Sequence, residues 1–258
     1  MSIEALPFVN WIFWATLSAG TLLVVGLTEL LGGTTRGYRL FMACLVAVFA
    51  GVLLVSELNL TPERLGATAE LRRALVWAFV AGAGAYLVAS FARLPRAGVA
   101  VAGGLIGIGA LATLAAAGGT LSAALFAAQL ILAALALGAV NAAMLLGHWY
   151  LVTPKLSPTP LRRMMWLLIG ALTLQALAFG IAVVAVSSGP LGGPIGPLTW
   201  LRLAIGTVLP IGVAVLAVMA SRAASLQAST GLLYVSLALV MAGSIAGASI
   251  TYLTGVPV

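Results

Sequence analysis

The chain has 258 residues, of which 63% are hydrophobic and only 7% are charged, and its formal net charge at pH 7 is +7. Because a soluble domain carries roughly 25% charged residues, this composition excludes a water-covered globular surface, and most of the outer surface must face lipid. The thinly spread arginines then indicate membrane topology and phospholipid contact, not a nucleic-acid groove, and the absence of Asp and of a glycine-rich phosphate loop excludes a Walker-type ATPase.

The first apolar run, about residues 8–32, predicts a retained membrane span and not a cleaved signal. No basic residue precedes it, and it is longer than the roughly 7–15 residues of a signal core. Its polar residues recur at helical spacing, so they share a face that points into the bundle. That face has two interpretations, interhelical hydrogen bonding or the wall of a ligand cavity leading to Glu29. The residues of this stripe are Asn10, Trp14, Ser18, Thr21 and Thr28.

Eight apolar segments of membrane-spanning length follow one another with short connections, since a span needs about 20 apolar residues. We therefore predict an all-α polytopic integral membrane helix bundle, with a single transmembrane domain over residues 1–258. The uncharged stretch 98–148 is too long for one span and needs a turn, which Gly118 and Gly119 supply. The predicted spans are residues 8–32, 38–60, 72–92, 97–117, 120–150, 163–187, 198–220 and 229–254.

A short internal similarity relates the connection after the second span to the connection after the fifth. Thr-Pro, then Leu-Arg-Arg and then Trp occur within residues 61–77 and again within residues 153–166. Three spans separate the two copies, so they lie on opposite faces of the membrane, as in the inverted repeats of transporters.

The basic residues favour an orientation with both termini outside. The odd-numbered connections carry eight Lys and Arg residues and the even-numbered ones carry four, and the richer side is cytoplasmic by the positive-inside rule. The second connection opposes the rule, because it holds Arg64, Arg72 and Arg73. We predict a bacterial-type inner (cytoplasmic) membrane protein.

The stretch from Asn141 to Trp166 holds the only His, His148, and the only Lys, Lys155. Trp149 and Tyr150 follow His148, and aromatic rings of this kind settle at the headgroup level. Histidine is a hydrogen-bond donor to carbonyls and exchanges protons near neutral pH, so this stretch favours a quinone site. The predicted quinone and proton site near the cytoplasmic face consists of His148, Trp149, Tyr150, Glu29 and Lys155.

Two carboxylates mark helix ends on opposite faces. Glu29 ends the first span on the side of His148, and Glu57 ends the second span on the other side, where it is the acidic candidate of the second face. An ionisable group in the hydrocarbon costs about 2.5–3.5 kcal/mol on insertion scales, so it is kept for function unless it snorkels to the interface. Both interpretations stay open for Glu29, Glu57 and His148.

Further polar side chains lie within later spans. Gln129 and Asn141 share the helix of His148, and Gln175 lies in the middle of the sixth span. Arg202 opens the seventh span, where we expect its charge to reach a lipid headgroup or an acidic partner.

The sequence contains few residues that could ligate a metal ion or a haem. One His excludes a bis-His haem ligated by this chain alone, and neither Cys nor further His accompanies it for a zinc site. The lone Cys44 cannot form an intrachain disulfide, and we expect it to pack as a small hydrophobic residue.

The eight spans and bare connections resemble the quinol-handling membrane anchors of bacterial oxidoreductases, such as the polysulfide-reductase type. The leading hypothesis is an integral membrane subunit of a respiratory or redox complex, which binds quinone and anchors partner subunits among the membrane lipids. Such a chain is at most a quinone-binding subunit without its own catalytic domain. The alternatives are a proton-coupled secondary transporter and a ligand-free structural or assembly subunit.

Overall fold

The computed structural model describes residues 6–60, 68–117, 120–153, 156–185 and 191–254, and the regular structure within these ranges is helical throughout. Eight segments are long and apolar enough to cross a membrane, which confirms the predicted all-α membrane bundle. The helices that each form one span are α1 (Leu6–Leu31), α2 (Arg36–Leu58), α3 (Ala69–Ala92), α4 (Ala97–Ala112), α5 (Thr120–Val152), α6 (Thr159–Ala185) and α9 (Leu226–Thr254).

The seventh span is interrupted. It consists of α7 (Gly196–Leu203), a π-helical turn (Ala204–Val208) and α8 (Leu209–Arg222), and a short 3-10 turn, Gly193–Ile195, precedes it. A second 3-10 turn, Thr113–Ala117, extends α4 towards α5. The predicted turn at Gly118 and Gly119 lies outside the described residues.

Helix α1 is the central helix of the bundle. Of its most apolar window, 78% is buried, against 33–50% in the other seven spans, so it is surrounded by protein where they also face lipid. Its strongest packing partners are α4 and α5. The predicted inward polar face is therefore confirmed for Ser18, Thr21 and Thr28, which are buried.

Glycines allow α1 to approach its neighbours closely. A Cβ at Gly20 would collide with the backbone of Ala134, and one at Gly104 would lie 2.7 Å from the Cα of Leu23. Small residues of this kind let backbones meet where the hydrophobic effect cannot drive helices together. Gly103 of α4 likewise lies against Leu22 of α1.

The bundle has two ends, which we call the terminal face and the opposite face. The terminal face holds the start of α1 and the end of α9, where the rings of Phe8 and Tyr252 lie 5.8 Å apart. The opposite face holds the connection from α1 to α2 and the end of α5, where Arg163 donates to the carbonyl oxygen of Leu31. Cys44 is exposed on α2, so the expectation that it packs in the core was wrong.

Candidate functional site

A buried arginine in the seventh span is the centre of the candidate site. Helical structure in this span begins at Gly193, nine residues before Arg202, which places Arg202 about 13 Å along the span from the terminal face. Only 8% of Arg202 is exposed. Its guanidinium is therefore inside the bundle and not on the outer surface, where we expected it to reach a lipid headgroup.

One glutamine holds the guanidinium and is itself held by the backbone of α6. The Nη2 of Arg202 donates to the Oε1 of Gln129 at 3.2 Å, and the Nε2 of Gln129 donates to the backbone oxygen of Gln175 at 3.4 Å. Gln129 is on α5 and Gln175 is on α6, and both are buried. This relay joins three spans through the side chains of Arg202 and Gln129 and the backbone carbonyl of Gln175.

A cavity opens beside Arg202 between α1, α5, α6, the seventh span and α9. Its atom-free space is about 550 Å³ when the part that opens outwards is included, but its enclosed part is narrow and holds roughly two water-sized groups. Apolar side chains such as Ile12, Phe126 and Val240 form much of its wall. Its polar groups are those of Thr16, Gln129, Gln175, Arg202, Thr207, Ser244 and Thr251.

The π-helical turn forms one wall of this cavity. Leu209 N–H donates to the carbonyl oxygen of Ala204, five residues earlier, and the hydroxyl of Thr207 donates to the carbonyl oxygen of Arg202 at 3.2 Å. Single π turns of this kind occur frequently at functional sites. The turn brings Gly206 and Thr207 to the cavity lining.

Two glycines of α9 make room for this arrangement. A Cβ at Gly243 would lie 2.3 Å from the Cα of Gly206, so the backbones of α9 and the π turn are in close contact. A Cβ at Gly247 would lie 3.0 Å from both Cζ and Nη1 of Arg202. Gly243 therefore allows the two backbones to pack closely, and Gly247 leaves space for the guanidinium.

No carboxylate pairs with Arg202 among the residues that the structure describes. Glu29, Glu57 and Glu70 each contact other arginines. The expected acidic partner of Arg202 is thus missing from the described ranges. The other polar groups that line the cavity beside the guanidinium are amides and hydroxyls.

A second buried arginine, on the same terminal face, is fully paired. The Nε and Nη2 of Arg72 donate to Oε2 and Oε1 of Glu57 at 3.1 and 2.9 Å, and the guanidinium lies 5.4 Å from the ring centroid of Trp11. Both side chains of the pair are buried. Glu57 is therefore inside the protein at the terminal face, as half of an ion pair.

Glu29 belongs to a cluster at the opposite face. Its Oε1 accepts a hydrogen bond of 2.6 Å from the hydroxyl of Tyr86, and its Oε2 lies 3.0 Å from the Nε of Arg96. The Arg96 N–H is not aligned for a hydrogen bond, so this second contact is one of charge and distance. The carboxylate side chain is only 5% exposed and is thus closed off by these partners.

The residues predicted around His148 point in different directions. The ring of His148 is exposed, and its Nδ1 lies 3.3 Å from the hydroxyl of Tyr234 on α9. Trp149 turns towards α2, where its ring lies against Gly37. Tyr150 is buried, and its hydroxyl donates to the carbonyl oxygen of Ser157 at 2.8 Å.

The structure does not join the two halves of the predicted quinone and proton site. Glu29 is bound by Tyr86 and Arg96, whereas the contact of His148 in the described part of the chain is with Tyr234. Lys155 lies outside the described residues. Within those residues, no group of three or more His, Cys or acidic side chains is arranged to hold a metal ion.

Gln129, Gln175 and Arg202 were recognised in the sequence one by one but were not connected, and the hydroxyl-bearing residues of the cavity were not recognised. Each of these three was visible as a polar residue within a span, which is the signal for an intramembrane site. Their meeting depends on contacts 46 and 73 residues apart along the chain. Comparison of the chain with protein-family models, with curated proteins and with solved structures finds no match.

Proposed function

We propose that this protein is a polytopic membrane protein that binds a small anion inside its helix bundle, as a permease for such an anion does. The observation that supports this function is Arg202. Its guanidinium is buried inside the bundle within an apolar span, borders a cavity and has no carboxylate partner among the described residues.

The energetic argument starts from the cost of a buried charge. An arginine in the centre of a membrane helix costs about 2.5–3.5 kcal/mol on insertion scales, and a carboxylate partner is the usual compensation. Arg72 has such a partner in Glu57, whereas no carboxylate of the described residues pairs with Arg202. An anion from outside the chain would compensate the positive charge of Arg202. This compensation would favour anion binding in the cavity.

The lining of the cavity suits a small anion. A guanidinium has five N–H donors, and the contact with Gln129 engages Nη2. Hydrogen bonds from a charged donor to an anion are about twice as strong as neutral ones. The narrow enclosed space favours anions of the size of chloride, nitrate or formate over an aromatic head group.

Binding is tested on the purified full-length protein in detergent. The protein is placed in a chloride-free gluconate buffer, chloride or formate is titrated in, and the thermal midpoint is followed. A ligand that binds only the folded state raises the midpoint with its concentration. We expect a saturable rise for the wild type and for Arg73→Gln, which removes a half-exposed charge, and no rise for Arg202→Gln.

Transport is tested in proteoliposomes at the same ionic strength. Anion efflux along a concentration gradient is compared for the wild type, Arg73→Gln and Arg202→Gln. We expect flux in the first two and a loss in the third. Equal anion stabilisation and equal flux in Arg202→Gln would contradict the proposed function.

A quinone-binding redox subunit is the second candidate function, and the exposed His148–Tyr234 pair supports it. The two groups lie 3.3 Å apart on the bundle surface near the opposite face, where a membrane-soluble quinone can reach the ring from the bilayer. This role requires partner subunits that carry the redox chemistry. Quinone reduction and quinone affinity are measured in the natively purified complex with His148→Ala, and unchanged values would remove this candidate.

The proposed orientation keeps both termini outside, in a bacterial-type inner membrane. Of the four basic residues counted against it, Arg202 lies inside the seventh span and Arg72 is in a buried ion pair. Neither adds charge to an aqueous loop on the terminal face. The difference in loop Lys and Arg between the two faces, on which the positive-inside rule depends, is therefore larger than the count from the sequence. Labelling of single cysteines placed at the two ends of the bundle tests this orientation.

A further inference from the structure

The Arg202 cavity carries a single ionisable side chain. Seventeen residues line it, and Arg202 is the only one of them that bears a charge. The other polar groups are amides and hydroxyls, which donate or accept hydrogen bonds without adding charge. The cavity in its described part therefore holds one positive charge.

We infer, on the basis of the proposed function, that this cavity binds a singly charged anion and discriminates against both neutral and doubly charged ligands of similar size. One negative charge beside Arg202 makes the occupied site neutral. A neutral ligand leaves the positive charge uncompensated, and a dianion leaves one negative charge in excess. Because charges interact strongly and are poorly solvated inside a membrane protein, a monoanion gains an attraction that the neutral ligand lacks, and a dianion pays for the charge left in excess.

The hydrogen-bonding relay keeps the guanidinium in place for this selection. Gln129 accepts from Arg202 through its Oε1 and donates to the carbonyl oxygen of Gln175 through its Nε2, which fixes the orientation of the amide. With the amide fixed this way, Gln129 presents its oxygen to the cation and not to the anion. Gln129 is thus a positioning residue for Arg202.

Gly247 leaves the space that the guanidinium of Arg202 occupies. An added methyl group there would lie 3.0 Å from Cζ and Nη1 of Arg202, so the guanidinium would have to shift. Gly231 on the same helix has nothing within 4 Å of its position and provides the matched control. We expect Gly247→Ala to weaken anion binding and Gly231→Ala to leave it unchanged.

The experiment compares formate, formamide and sulfate on the wild-type protein in detergent, in gluconate buffer at constant ionic strength, by isothermal titration calorimetry. Formate and formamide share size and shape and differ in charge, and sulfate carries two charges. We expect formate to bind at least about tenfold more tightly than either of the others. The comparison uses unmodified protein, so it does not depend on whether a variant folds.

The outcomes separate the two proposals. Binding of formamide or sulfate as tight as that of formate, lost in Arg202→Gln, would leave the proposed function standing and overturn the inference about charge. Absence of binding by formate, chloride and sulfate alike would overturn both. Formate binding that falls in Gly247→Ala but not in Gly231→Ala would support the placement of the anion at the guanidinium.

Discussion

Arg72 and Arg202 are both buried on the terminal side of the bundle, yet their charges have different surroundings. Arg72 has a two-point ion pair with Glu57 and a ring contact with Trp11. Arg202 has one hydrogen bond to the amide of Gln129 and a cavity beside it. The first charge is neutralised by the chain itself, and the second is left available.

This difference separates two uses of a buried charge. A buried ion pair fixes helices relative to one another but adds little stability over an apolar pair of the same shape. A buried guanidinium without a carboxylate among the described residues is a cost to the fold, which one hydrogen bond to an uncharged amide offsets only in part. The first arrangement joins α2 to α3, whereas the second has the properties of a binding site.

The largest expected effect comes from breaking the ion pair of Arg72. Glu57→Gln leaves a buried guanidinium without its countercharge, and such a change costs about 3–5 kcal/mol of unfolding free energy. Unfolding in mixed micelles by titration with dodecyl sulfate measures it. Glu70→Gln, whose carboxylate is exposed and 3.8 Å from Arg73, is the control and should change little.

Removing both partners of the pair should restore most of the loss. In Glu57→Gln with Arg72→Gln no charge remains to be compensated, and we expect the deficit to shrink to about 1–2 kcal/mol. The same unfolding titration measures the double variant. A deficit equal to that of Glu57→Gln alone would show that the charge is not the cause.

Replacement of the other arginine should affect stability much less. Arg202→Gln removes a hydrogen bond to Gln129 but also removes a buried, uncompensated charge, so we expect a net change within about 1 kcal/mol in anion-free buffer. A loss comparable with that of Glu57→Gln would mean that Arg202 has a structural partner and that the contrast between the two arginines is false.

The smallest effect should come from His148→Ala. The ring is exposed and its contact with Tyr234 is 3.3 Å long, so we expect a loss of about 0.5 kcal/mol or less in the same titration. Tyr234→Phe should match it, since it removes the same contact from the other side. A loss above about 1.5 kcal/mol in either variant would indicate a structural role.

The membrane fold could be predicted from the sequence because it depends on length and polarity alone. A run of about 20 apolar residues crosses the bilayer whichever helix it packs against. The seventh span was predicted to begin at residue 198, whereas helical structure begins at Gly193. Neither starting point indicates that Arg202 is buried, since its interior position depends on packing against Gln129 of another span.

The site could be predicted only as separate residues. Helical periodicity indicates which face a residue occupies but not which helix lies opposite, so the contact of Arg202 with Gln129 was hidden. Around His148 the opposite happened, because residues that are adjacent in the sequence were grouped into one site. Its aromatic neighbours suggested one pocket, but Trp149 and Tyr150 follow it at successive helical positions and point to different surroundings.

The turn between α7 and α8 has a geometric consequence for the aim of the guanidinium. A π turn contains one residue more than an α turn, and one residue corresponds to a rotation of about 100° around the helix axis. In an uninterrupted α-helix the stretch before Ala204 would be rotated by that angle relative to α8. Arg202 would then be directed at a different neighbour. The one extra residue of the π turn therefore sets the direction in which the guanidinium points around the helix axis.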